Sequence, residues 1–247
     1  MFLDVVDLKD FYTTALGGVV RPILSEHLRT LWPNVSGDRL LGLGFATPYL
    51  GAFAGEADRA IAFMPATQGA ISWPPGGPTA AALVVEDMLP LPDGSVDRVL
   101  LIHALEMVHD PAAVLREVWR VLSPGGRMLA VVPNRRGLWA RVDTSPFGYG
   151  RPFSRRQLTN LLRESMFSPS AWDQALYMMP VQKQHFLRSG SRWEAVGARL
   201  WGAFAGVIMV EATKHFYQGA PVLRRVRAFE PIRPVLLPAP AGLPTPH

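Results

Sequence analysis

Apolar positions in the first 32 residues recur every three or four places. Leu8, Phe11, Tyr12, Leu16, Val19 and Val20 form one stripe, interrupted at Gly17-Gly18, and Ile23, Leu24, Leu28 and Leu31 form a second behind Pro22. This spacing predicts two helices. The second is expected to begin at Pro22, whose fixed φ suits a first helical turn, and to end at Trp32-Pro33-Asn34. From Arg39 the pattern changes to short apolar runs at 39–43, 60–63, 82–85, 98–103 and 128–132. Helical patterns lie between them, one opened by Thr47-Pro48 and one from Pro111 with Val114, Leu115, Val118 and Val121 on a single face. Strands alternating with helices predict an α/β domain, its sheet mostly parallel and covered on both faces. Further on, Ser154 caps a helix carrying Leu158, Leu161 and Leu162. Residues 167–179 read as a strand region, 182–200 as an amphipathic helix, and 203–212 as a late strand of the sheet.

Composition narrows this picture. The chain has 247 residues, 49% of them hydrophobic, which suits one domain with a well-buried core plus extensions. Only 18% are charged. That leaves room for an apolar surface that takes a protein partner or a second copy of the chain. The formal charge of +5 gives at most a weak pull toward anionic partners, and no specific nucleic-acid motif accompanies it. With no cysteine, a disulfide, a thiolate nucleophile and a cysteine metal site are excluded. A cytoplasmic protein is the expectation. The acidic start, Asp4 and Asp7, does not look like an export signal. The longest apolar run, 200–210, is too short to span a bilayer, which takes about 20 residues. Beyond 218, prolines and the arginines Arg224, Arg225, Arg227 and Arg233 predict an extended, disordered tail. The expected organisation is a helical cap at 1–36, an α/β core with an insertion at 37–217, and a basic Pro-rich tail at 218–247.

Two motifs carry chemistry. Asp93-Gly94-Ser95-Val96-Asp97 leads into the run at 98–103, and Arg120-Val121-Leu122-Ser123-Pro124-Gly125-Gly126 leads into the run at 128–132. This stretch resembles the second half of the class I S-adenosylmethionine (SAM) methyltransferase domain, of the methyltransferase type 11 kind. The resemblance implies a Rossmann-like fold with a mostly parallel seven-stranded sheet, and SAM as cofactor. In that family the first strand ends in an acid, and a Gly-x-Gly-x-Gly turn follows. Here the matching stretch runs from Leu41 to Pro48. Gly42 stands in the acid's place, Gly44 is kept, and Ala46 and Pro48 replace the other two glycines. A second acid, at the end of strand two, aligns with Ala62. Each lost hydrogen-bond partner to a polar ligand costs about 1–3 kcal/mol. The resemblance implies that Gly42, Gly44, Phe45, Thr47, Phe63, Met64, Glu86, Asp87 and His103 surround SAM.

His103 ends the fourth strand, where the carboxyl edge of a parallel sheet faces its ligand crevice. It is the candidate general base, with Glu106 placed to orient it; a structural histidine is the alternative. His109-Asp110-Pro111 reads as a helix start, and no metal is assigned. Arg135, Arg136, Trp139, Tyr149 and Arg151 lie in a segment that resembles a bacterial subgroup of methyltransferase-like proteins with an altered cofactor loop. They are the candidate substrate residues, the arginines for an anionic group and the rings for stacking. Two functions follow. One is a SAM-dependent methyltransferase acting on a small-molecule or protein-bound substrate. The other is a catalytically silent relative acting as a binding or regulatory partner. An open crevice beyond Gly44 favours the first, and one plugged by Phe45, Phe63 and Met64 the second.

Overall fold

The fold was obtained as a computed structural model, which describes residues 3–181, 194, 197 and 204–215. Seven strands form one sheet: β1 (Arg39–Gly44), β2 (Arg59–Pro65), β3 (Ala81–Val84), β4 (Val96–Ile102), β5 (Leu122–Pro133), β6 (Phe167–Ala175) and β7 (Val207–Lys214). Their spatial order is β3-β2-β1-β4-β5-β7-β6. The pairs β3–β2, β2–β1, β1–β4 and β4–β5 are parallel, and β7 runs antiparallel to both β5 and β6. The expected mostly parallel, seven-stranded sheet is therefore present. Strand order reverses between β1 and β4, and the crevice outside that reversal is where such sheets take ligands.

Alternation along the strands builds a core on each face. Leu40, Leu100, Ile102, Leu129 and Val131 face helices α1 (Val5–Thr13), α2 (Ala15–Leu31) and α3 (Thr47–Ala54). Their neighbours Leu41, Leu43, Val99, Leu101, Met128 and Ala130 face α4 (Pro111–Val121) and α5 (Arg155–Glu164). Asp110 caps α4, accepting from the Ala112 and Ala113 amides. Ser154 and Gln157 close a reciprocal capping box on α5. At the amino edge of the sheet, Arg39 forks onto Asp97 at 2.8 and 3.0 Å, and Arg98 pairs with Asp38.

The amino-terminal helices divide elsewhere than expected. The break falls at Thr14, whose hydroxyl accepts from the Gly17 amide, and α2 then runs unbroken through Pro22. Gly17 serves packing: a Cβ there would strike the Phe11 carbonyl, so the residue lets α1 and α2 approach closely. The late strand begins at Val207, further along than expected, because its register is set by β5 and β6 on either side. Of the apolar run's described part, 204–210, residues 205–210 are buried, and Phe204 is exposed. The helix expected at 182–200 falls almost wholly, and the tail at 218–247 wholly, outside the described residues. Among the described residues no helix is long and apolar enough to cross a membrane.

Candidate functional site

The turn after β1 is tight and needs its glycine. Gly44 has φ +85°, and a Cβ there would meet the Ile102 carbonyl and, at 2.9 Å, the Ala104 side chain. Only glycine fits. The Phe45 amide then donates to the Ile102 carbonyl at 2.7 Å, fastening the turn to the end of β4. Pro48 lies in the first turn of α3, where its missing N–H costs nothing.

The acid position is a different matter. A Cβ at Gly42 would lie 2.6 Å from Leu50 Cδ1 and 2.9 Å from Ala46 Cβ. The space that a carboxylate needs is filled with hydrocarbon. Ala62 pairs with Gly42 across the sheet and is buried in the same core. Phe63 and Met64 are buried too, one on each face of the sheet. Glu86 is half-buried and Asp87 exposed, just past β3.

Beyond the turn, α1 closes the crevice. Tyr12 lies over Phe45 with ring centroids 5.7 Å apart and planes 21° from parallel. Its hydroxyl lies 2.9 Å from His103 Nε2, and the Tyr49 hydroxyl donates to it at 3.1 Å. His103 Nδ1 lies 3.2 Å from Glu106 Oε1. With the Tyr49 hydroxyl donating to Tyr12, the Tyr12 hydroxyl is assigned as donor to Nε2, which leaves Nδ1–H to donate to Glu106. Burial pushes the Tyr12 and Tyr49 phenols well above their ordinary range, which keeps both neutral. His103 is 1% exposed with φ +50°, a left-handed backbone that histidine adopts more readily than most residues. Gln68 ties these parts together. Its carbonyl accepts the Val5 amide at the start of α1, and its side-chain amide donates to the His103 carbonyl at 3.0 Å.

Two buried polar atoms in this region have no partner: Thr47 Oγ1, just past the turn, and Glu106 Oε2. An orphaned buried acceptor costs about 1–3 kcal/mol. Such groups mark a place where another arrangement, or a ligand, satisfies them.

The candidate substrate residues do not converge. Arg135, Arg136 and Arg151 are exposed and Tyr149 is half-buried. Trp139 is wholly buried, donates from Nε1 to the Met178 carbonyl at 2.7 Å, and packs edge-on to Phe147. Phe147 in turn lies 4.9 Å from the His103 ring. The aromatic residues of this loop thus clamp it onto the sheet, while its arginines face solvent. The Arg151 amide donates to the Glu106 carbonyl at 2.8 Å, joining the loop to the residues after β4. Tyr12, Tyr49, Gln68 and Phe147 complete the site. Tyr12 carried a faint signal, a phenol in a stripe otherwise free of polar atoms.

Sequence comparison agrees with this architecture. Residues 74–130 match the family described as "Methyltransferase domain". A probable SAM-dependent methyltransferase of Mycolicibacterium smegmatis is 41% identical over 81 residues, covering 32% of this chain and 31% of that one. A demethylmenaquinone methyltransferase of Listeria welshimeri is 42% identical over 67 residues, covering 26% and 28%. The matches thus span about a third of those relatives' length or less. Among solved structures, a SAM-dependent methyltransferase of Thermotoga maritima, a possible histamine N-methyltransferase, superposes with a TM-score of 0.57 at 17% identity, covering 85% of this chain and 96% of that one. A SAM-dependent methyltransferase of Mesorhizobium loti gives 0.56 at 17% identity, covering 76% and 96%. The fold is that of the class I methyltransferases.

Proposed function

We propose that this protein is a SAM-dependent methyltransferase whose cofactor crevice is covered by α1 in the state described. The observation that carries the reading is the positive-φ turn at Gly44, fastened to the end of β4 at the strand reversal of a methyltransferase-type sheet. The local sequence match and the relatives' activity support it.

With α1 seated, the residues present do not fit SAM. Tyr12 and Phe45 fill the crevice, and no carboxylate can stand at position 42. Methyl transfer therefore belongs to a state in which α1 has left its seat. In that state Thr47 and Glu106, orphaned while α1 is seated, face the crevice, and His103 Nε2 loses Tyr12 and becomes free to accept a proton. Glu106 keeps the ring oriented through Nδ1. The protein works in water rather than across a membrane, and its methyl acceptor is a small molecule or a protein-bound group.

One observation favours a second reading. The hydrocarbon filling at Gly42 removes the family's carboxylate by packing rather than by simple deletion, as in a relative that has given up catalysis and acts through a partner. Titration calorimetry with S-adenosylhomocysteine separates the two. Wild-type protein is expected to bind weakly, and Tyr12→Ala more tightly, with near-UV circular dichroism confirming that the variant is folded. A folded variant that binds nothing at millimolar ligand supports the silent relative.

A further inference from the structure

The two outermost strands of the sheet are finished differently. β6, at one end of the spatial order, carries Pro169 and a register shift between Pro169 and Ala171. Arg155 lies over its Trp172, and its Asp173 pairs with His27. Proline, charge and irregularity keep an edge strand from pairing further. β3, at the other end, has none of them: residues 80–85 read Ala-Ala-Ala-Leu-Val-Val. The Ala80 and Val84 carbonyls accept from the Ala62 and Ala66 amides. The even-numbered residues of β3 therefore bond inward, and Ala81 and Leu83 turn their N–H and C=O groups away from the sheet. Along this open edge Leu83, Val85 and Met88 are 55%, 49% and 69% exposed. Val84 is buried in the α4–α5 core, so alternation puts Leu83 and Val85 on the opposite face.

We propose that β3 pairs antiparallel with β3 of a second copy of this chain, across a two-fold axis at Leu83. In this register Leu83 faces Leu83 of the second copy, and the outward N–H and C=O of each satisfy the other. Ala81 faces Val85, and the exposed apolar side chains of the two copies meet on one face. Charge selects the same occupant. Glu86 and Asp87 follow the carboxyl end of β3, and the exposed Arg59 opens β2 beside its amino end. None of the three is in an ion pair among the described residues. Asp58, next to Arg59, lies in the field of Arg39 on the far side of β2. An antiparallel copy brings the acidic end of each edge to the arginine end of the other, twice over. The contact is smaller than the ~800 Å² per partner of a standard interface, so the dimer is expected to half-form at about 10–100 µM. This inference does not rest on the methyltransferase reading.

The test uses the full chain. Sedimentation velocity from about 1 to about 300 µM is expected to show wild type passing from monomer to dimer. Leu83→Lys, a charge at an exposed edge position, is expected to stay monomeric with an unchanged far-UV circular dichroism spectrum. Because the chain has no cysteine, a single introduced thiol reads the register. Leu83→Cys is expected to give a disulfide-linked dimer on mild oxidation, since facing Cα atoms in such a pair lie about 5.5 Å apart. Leu138→Cys, exposed in the segment after β5, is expected to give none. At low salt, Arg59→Glu is expected to weaken association about fivefold, and an equal mixture with Glu86→Lys/Asp87→Lys to restore it. A wild type that stays monomeric throughout, whether or not another protein takes this edge, overturns the proposal. So does a dimer that Leu83→Lys leaves intact, equal cross-linking of the two thiols, or a mixture that associates no better than its components.

Discussion

At the amino edge of the sheet, Arg39 grips Asp97 and Arg98 grips Asp38, with water in reach of all four. At the carboxyl edge, Tyr49, Tyr12, His103 and Glu106 are linked where water does not reach. The first edge is held by residues that belong to the sheet or directly precede it. The second depends on a helix that precedes the sheet altogether. A solvated ion pair that breaks is rehydrated at little cost, whereas a buried hydrogen-bonded chain that breaks leaves unpaired atoms. The carboxyl edge is therefore expected to give way all at once, and the amino edge by degrees.

Gly42→Asp tests this contrast hardest. Restoring the family's acid forces atoms into space held by Leu50 and Ala46 and buries a charge among them. A loss of at least about 3 kcal/mol is expected from urea unfolding. An unchanged midpoint would show that this part of the carboxyl edge adapts as freely as the other edge. Tyr12→Phe is gentler. It removes the donor to His103 and the acceptor for Tyr49, with an expected cost of about 1–2 kcal/mol and faster hydrogen exchange in α1. Exchange as slow as in wild type would mean that hydrocarbon contacts alone seat the helix.

The smallest effect is expected at the amino edge. Arg39, first by its side-chain hydrogen bond, holds the Asp97 carboxyl well below the usual carboxylate range. A lowered native pKa contributes stability above the unfolded value, near 4, and that stability is lost as pH falls through the native value. Because the Arg39 side chain is 44% exposed, screening limits the contribution to about 1 kcal/mol or less. Asp97→Asn should flatten the acid limb of a stability–pH curve below about pH 4. An equally steep limb in the variant would place the acid sensitivity elsewhere.

The strand-turn-helix repeat from Arg39 to Val132 was legible because its signals are local. Gly94 and Gly125 mark turns, Asp110-Pro111 marks a helix start, and period-two alternation gives each strand its two faces. The closed crevice was not legible, because the residues that close it lie far apart in sequence: Tyr12 meets His103 across 91 positions. Along the chain, Tyr12 is one more ring in a helical stripe. Pro22 misled for a related reason. Proline usually marks a helix start, but here the contacts of α2 with its surroundings outweigh one missing hydrogen bond. Trp139 read as a stacking platform and proved to be core, because Gly206 on a distant segment leaves room for its indole.

Gln68 has a practical use. One end of this buried residue holds the first turn of α1, and the other holds the backbone of the histidine at the crevice floor. Its side-chain amide, held by the His103 carbonyl, gives a pair of well-separated proton resonances, and those resonances move when that contact lets go. A single isotope-labelled glutamine signal would thus report, without any substrate, how much of the time the crevice stands open.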